Sequence, residues 1–110
     1  MERRLQIRDR ATQDLRQHAN YILSHGSAQK AYNFLVAAQE TFNQLLRLPA
    51  MGKALLLVSD RFGDVRQWRI REFEKHLVFY RFDDEIVDVL RVLHGSRDLE
   101  DILPYLDETT

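Results

Sequence analysis

The chain contains no cysteine. That excludes a disulfide scaffold, a thiolate zinc site, an iron–sulfur cluster and a cysteine nucleophile, and it fits a cytoplasmic location. Long apolar runs are also lacking. Runs such as Ala54 to Val58 are far short of the roughly 20 residues a membrane-spanning helix needs, so no membrane partner is expected. The start, Met1-Glu2-Arg3-Arg4-Leu5, has two arginines with no apolar stretch behind them, unlike a signal peptide. Proline and glycine are scarce, two and four among 110 residues, and the chain shows no linker, repeat or low-complexity segment.

No cofactor is expected. The sequence has neither a G-x-x-x-x-G-K-S/T loop nor a G-x-G-x-x-G turn, which excludes nucleotide binding through those motifs. Its four histidines, His18, His25, His76 and His94, lack the H-x-x-x-H and H-E-x-x-H spacings, so no metal site is expected. A surplus of one charge sign is missing as well, the net charge being −1. A dedicated nucleic-acid binder carries a basic surplus, because phosphate contacts supply most of its affinity. The sum conceals an asymmetry. Residues 1–53 hold eight Lys/Arg against four Asp/Glu, and residues 54–110 hold eight against thirteen.

What is present fits one domain over residues 1–110, with apolar residues at 45 % and spread along the whole length. Residues 4–8 alternate polar and apolar, which predicts a short edge strand. Asp9 is the expected N-cap of a first helix whose apolar face is Ala11, Leu15, Ala19 and Ile22. His25-Gly26 ends it, with Gly26 expected in a left-handed position. Ser27 caps a second helix bearing Ala31, Phe34, Leu35, Ala38, Phe42, Leu45 and Leu46, which Pro49 stops. The two helices should form an antiparallel hairpin.

The second half predicts strands near 54–58, 65–71, 76–82 and 86–93. Turns are expected at Ser59–Asp64, Glu72–Lys75 and Asp83-Asp84-Glu85. The last strand is apolar on both faces and should lie inside its sheet. Ser96 or Asp98 then caps a short helix with Leu99, Ile102 and Leu103, ended by Pro104. Helices and strands are segregated, so the fold class is α+β: an N-terminal strand, a two-helix hairpin on a small sheet, and a short C-terminal helix.

Several side chains are candidates for chemistry. On the strand at 65–71, Trp68 and Ile70 should face the helices, leaving Arg69 and Arg71 on the opposite, open face. An arginine fork there suits phosphate or carboxylate. The competing reading is a solvated face with salt bridges to Glu72, Glu74 or the acidic turn. Arg91 interrupts a Val/Leu run, on a face shared with Val87, Val89 and Leu93 and opposite Asp88. It either opens onto a functional concavity or pairs with an acid of a neighbouring strand. His94 is placed either to act as a general acid or base, or to fix the chain reversal by hydrogen bonding to backbone.

The stretch from Leu77 to Leu103 resembles the C-terminal half of the ParE toxins, of the RelE/ParE superfamily of bacterial toxin–antitoxin systems. Leu90-Arg-Val-Leu-His-Gly-Ser-Arg-Asp98 is the sharpest match, Phe79-Tyr-Arg81 supports it, and the order Ala31, Phe34, Leu45, Pro49, Gly52 is similar upstream. The resemblance implies a helix hairpin on a largely antiparallel sheet. It also implies a non-enzymatic toxin that inhibits DNA gyrase and blocks replication. A cognate ParD-like antitoxin would neutralise it, and operator DNA would be bound only through the antitoxin complex.

Arg71, Arg91, His94 and Arg97 are the expected target-binding residues, with Gly95 allowing the turn and Asp98 capping the last helix or pairing with Arg97. Tyr21, Leu23 and Tyr32 are the expected antitoxin contacts, unless the core buries them. The sister branch resembles RelE, a ribosome-dependent mRNA endonuclease. On that reading His94, Arg91, Arg69 and Arg71 would be catalytic, although the net charge and the continuation past His94 argue against it. An inactive binding module in a repressor complex is the third reading.

Overall fold

The computed structural model describes residues 2–55 and 64–105. Strand β1 (Arg4–Ile7) leads directly into helix α1 (Asp9–His25), and helix α2 (Ala28–Arg47) follows after Gly26-Ser27. A 3-10 turn at Pro49–Met51 precedes β2 (Lys53–Ala54), β3 (Arg66–Ile70), β4 (Phe73–Phe82) and β5 (Ile86–His94). Helix α3 (Leu99–Ile102) and a second 3-10 turn (Leu103–Tyr105) end the described chain. The expected element order and α+β class are borne out. The sheet runs β1-β5-β4-β3-β2, antiparallel except for the parallel β1–β5 pair. Strand β1 is an edge, as expected, and β5 lies inside. The rest of the strand expected at 54–58, and nearly all of the turn before Asp64, fall outside the described residues.

Ser27 caps α2 as expected, its hydroxyl accepting the Lys30 amide at 3.1 Å. Three local expectations need correcting. The N-cap of α1 is Arg8, with extended backbone, and Asp9 is the first helical residue, where its carboxylate still favours the positive helix end. Gly26 is not left-handed, at φ −142°. The β3–β4 turn is tighter than Glu72–Lys75: Ile70 pairs with Phe73 across Arg71-Glu72, and Glu72 takes the positive φ, 68°. Strand β4 therefore begins at Phe73, ahead of the expected His76. Asp83 makes the next turn, its carboxylate accepting the amides of Glu85 and Ile86 at 2.8 and 2.9 Å. Those two bonds hold the carboxyl below its ordinary pKa.

Two cores lie on opposite faces of the sheet. The larger packs Ala11, Ala19, Phe34, Ala38, Phe42 and Leu45 of the helices on Ile70, Val78, Tyr80, Val87, Val89 and Val92. Leu35 of the expected α2 stripe points outward, 44 % exposed, and Ala37 and Thr41 are buried instead. The smaller core joins Phe79, Leu90 and Leu93 to Ile102 and Tyr105, so the C-terminal segment covers part of the face expected to be open. Leu99 and Leu103 point away from it.

Tyr80 ties the first half of the chain to the sheet. Its hydroxyl donates to Pro49 O at 2.6 Å and accepts the Gly52 amide at 3.0 Å. A β-carbon on residue 52 would run into that phenol, so this position requires glycine.

Candidate functional site

Strand β1 ends at Ile7, opposite Val89, while β5 runs on to His94. Helix α1 takes over the exposed edge with side chains. The Val92 amide donates to Asp14 Oδ2 at 3.0 Å, and His18 Nε2 bonds Val92 O at 2.8 Å. A carbonyl only accepts, so His18 carries its proton on Nε2. Asp14 and His18 are four apart, so they lie on one face of α1, as the spacing of the edge groups demands. Both are buried, at 2 % and 7 % exposure. The sequence reading missed them. The available signal was two polar residues, at i+3 and i+7 from Ala11, inside an apolar stripe, since buried polar groups occur with partners.

A β-bulge re-aims Arg91. Phe79 pairs with Arg91 while Tyr80 pairs with Val89, so Leu90 is the extra residue. The bulge breaks the expected shared face: Val87 and Val89 pack toward the helices, Leu90 and Leu93 against the opposite core. Arg91 grips Asp14 with two bonds, Nε to Oδ2 at 2.8 Å and Nη2 to Oδ1 at 3.1 Å. Its Nη1 lies 4.0 Å from Asp101 of α3. The partner acid thus comes from a helix and not from a neighbouring strand. Bonding to Asp14 raises the Arg91 pKa further. Asp88, opposite, is held by Arg8 at 2.8–2.9 Å and by Arg81 at 3.1 Å. Burial alone would raise the Asp88 carboxyl, but those two arginines bring it below the ordinary value.

The segment after β5 is organised by His94. Its Nδ1 accepts the amides of Ser96 and Arg97 at 3.2 and 3.1 Å, so that nitrogen is unprotonated. Asp98 closes the loop from the other side, its carboxylate accepting the His94 amide at 2.7 Å while its own amide donates to His94 O at 3.0 Å. Asp98 is the N-cap residue of α3, but its side chain serves His94 and not the helix amides. A methyl group on residue 95 would meet only ordinary van der Waals contacts, so the turn rests on His94 and Asp98 and not on Gly95.

Arg97 extends over the Tyr21 ring at 3.8 Å and also donates through Nη2 to His76 Nε2 at 3.3 Å. His25 stacks on Tyr21 at 3.9 Å. The His76 ring meets those of His18 and His94 edge-on at 4.8 and 5.0 Å. Burial first, then His18, His94 and Arg97, push the His76 pKa down to about 3. Burial and Arg97 lower His94 too.

Arg91, His94 and Arg97 therefore gather at the end of β5. Arg71 lies at the β3–β4 turn beside α2, where its amide donates to Thr41 Oγ1 at 3.3 Å. Arg69 lies over the Trp68 ring at 5.1 Å. Tyr21, Leu23 and Tyr32 are exposed on the hairpin, by 44, 51 and 64 %, and not buried in the core. Among the described residues no group of three or more His, Asp or Glu side chains is placed to hold a metal ion, and no helix is long and apolar enough to cross a membrane.

A search of curated proteins finds no match. Among solved structures, a chain of the chromosomal ParDE toxin–antitoxin system of P. aeruginosa has a similar fold. Its TM-score is 0.68 at 17 % sequence identity, over 84 % of this chain and 96 % of that one. The model of the ParE toxin family matches residues 5–99, which span β1, the hairpin, the sheet and the His94–Asp98 turn. With that match over most of its length, the chain belongs to the ParE toxins of type II toxin–antitoxin systems, parDE.

Proposed function

We propose that this toxin inhibits DNA gyrase through a protein contact, so blocking replication, and that a ParD-like antitoxin neutralises it in the cytoplasm. Membership of the ParE family is the observation that carries the reading. The site geometry supports contact over catalysis. A ribonuclease needs a group free to exchange a proton beside cations free to meet a phosphate. Here Arg91, a cation the ribonuclease reading needs, is committed to Asp14, and His94 Nδ1 accepts two backbone amides, which leaves Nε2 as the one ring nitrogen for proton exchange. Arg69 is on β3, with β4 between it and β5, and Arg71 is at the β3–β4 turn beside α2.

Arg97 is the proposed target contact, with Arg71 as a second, separate one. Arg91 and His94 act by positioning the turn that presents Arg97. Tyr21, Leu23 and Tyr32 are the proposed antitoxin contacts, being exposed apolar side chains suited to an amphipathic partner. Because Arg97 lies on Tyr21, an antitoxin covering Tyr21 would also cover Arg97, which gives neutralisation by occlusion.

The test is induced expression in bacteria with labelled thymidine and methionine. Thymidine incorporation falling first, restored by the co-expressed antitoxin, is the expected result. Methionine incorporation falling first, with cleaved mRNA, would favour the ribonuclease.

A further inference from the structure

Beside the stacking of Arg97 on Tyr21, four polar contacts hold Ser96 and Arg97, each made to an imidazole lone pair. His94 Nδ1 receives the amides of Ser96 and Arg97 and contacts the Ser96 hydroxyl at 3.2 Å; His76 Nε2 receives the Arg97 guanidinium. A lone pair that binds a proton can no longer accept. Protonation at either histidine therefore removes bonds to the same short turn, and at His76 it also sets a cation against Arg97.

The surroundings oppose a charge on His76 from nearly every side. From α1 comes His18, whose Nε2 proton is already turned to Val92 O. From α2 comes the apolar ring of Phe34, at 4.8 Å. From β4 itself comes Phe73, and from β5 comes His94. The turn supplies Arg97. Among the described residues Asp98 is the anion acting on His76, and its carboxylate is held by the His94 amide and lies 3.7 Å from His18 Nε2. Lys75 adds positive charge near His94.

We propose that the His94–Asp98 turn is a proton-operated latch. Neutral imidazoles hold it shut, with Arg97 seated on Tyr21. Acidification protonates His76 and His94, releases Arg97 from Tyr21 and loosens the C-terminal segment from the sheet while the hairpin and β4–β5 stay folded. The latch stands independently of the toxin's target.

The experiment is a pH titration by NMR on the full chain between pH 7.5 and the onset of unfolding. It follows the ring-current shift of Arg97, the histidine ring protons and the protection of the Ser96 and Arg97 amides. Protection should fall about tenfold per pH unit for each proton taken up on opening, with β4–β5 amides still protected. Arg97 should lose its ring-current shift in the same transition. The paired variant His76→Gln/His94→Asn keeps acceptor oxygens without the titration. It should stay latched over the whole range.

Release of the variant at the same pH as the wild type would overturn the proposal. If the variant fails to fold, the wild type decides alone. A His76 that titrates near the free-histidine value with Arg97 still shifted by Tyr21 rejects the latch, as does an Arg97 contact that persists until global unfolding.

Discussion

Asp14 and Arg91 meet in a two-bonded ion pair where helix α1 replaces strand β1 along the edge of β5. The Asp14 carboxylate is almost wholly out of water and also receives the Val92 amide. Removing one partner of such a pair strands a buried charge, at a cost of about 3–5 kcal/mol. Arg91→Ala should therefore destabilise the fold by about that much in urea unfolding, more than Arg97→Ala, whose side chain is exposed. Growth arrest lost in Arg91→Ala would report on folding, so Arg97→Ala is the cleaner test of the recognition surface. Equal stability of the two variants would contradict this assignment.

Tyr80→Phe leaves the Gly52 amide and the Pro49 carbonyl without their shared partner, and should cost about 1–3 kcal/mol. Gly52→Ala should also destabilise, because its methyl collides with the phenol. The two changes share one contact, so their combined cost should be less than additive. Additive costs in a double-mutant cycle would show that the two sites are independent.

Stability should fall in mild acid. The native His76 binds its proton only near pH 3, whereas the unfolded chain takes one up near the ordinary histidine value of about 6.5. The stabilisation from a neutral His76 is therefore complete above about pH 6.5 and is lost as the pH falls toward 3. By pH 5 the loss should reach about 2 kcal/mol, at about 1.4 kcal/mol per pKa unit. His76→Phe should flatten this slope, and an unchanged slope would assign it to other groups. The depressed carboxyl of Asp88 works in the same direction at lower pH, below the ordinary aspartate value.

Ser27→Ala should cost about 1 kcal/mol, since the hydroxyl serves an otherwise free amide at the start of α2. Thermal unfolding measures it, and a neutral result would place the helix start elsewhere.

Local rules carried most of the architecture. The 3.6-residue pattern, Ser27 and Pro49 placed α2, and the polar–apolar alternation of 4–8 placed β1. The tail motif pointed to the family. What stayed hidden depends on contacts distant in sequence. Nothing near Leu90 announces a bulge, because Val89-Leu90 reads equally well with either residue facing the helices. The bulge then decides where Arg91 points, and its partner Asp14 lies 77 positions away. His76 and His94 look like isolated histidines until β4 and β5 pair them in register. The same pairing turns a candidate acid–base group into the acceptor that shapes a turn.

The most direct test of gyrase inhibition is purified gyrase acting on relaxed plasmid, with and without antitoxin-free toxin. The expected result is loss of supercoiling with accumulation of cleaved linear DNA, and reversal on adding the antitoxin. Full supercoiling with no cleaved DNA, from toxin shown to be folded, would contradict it.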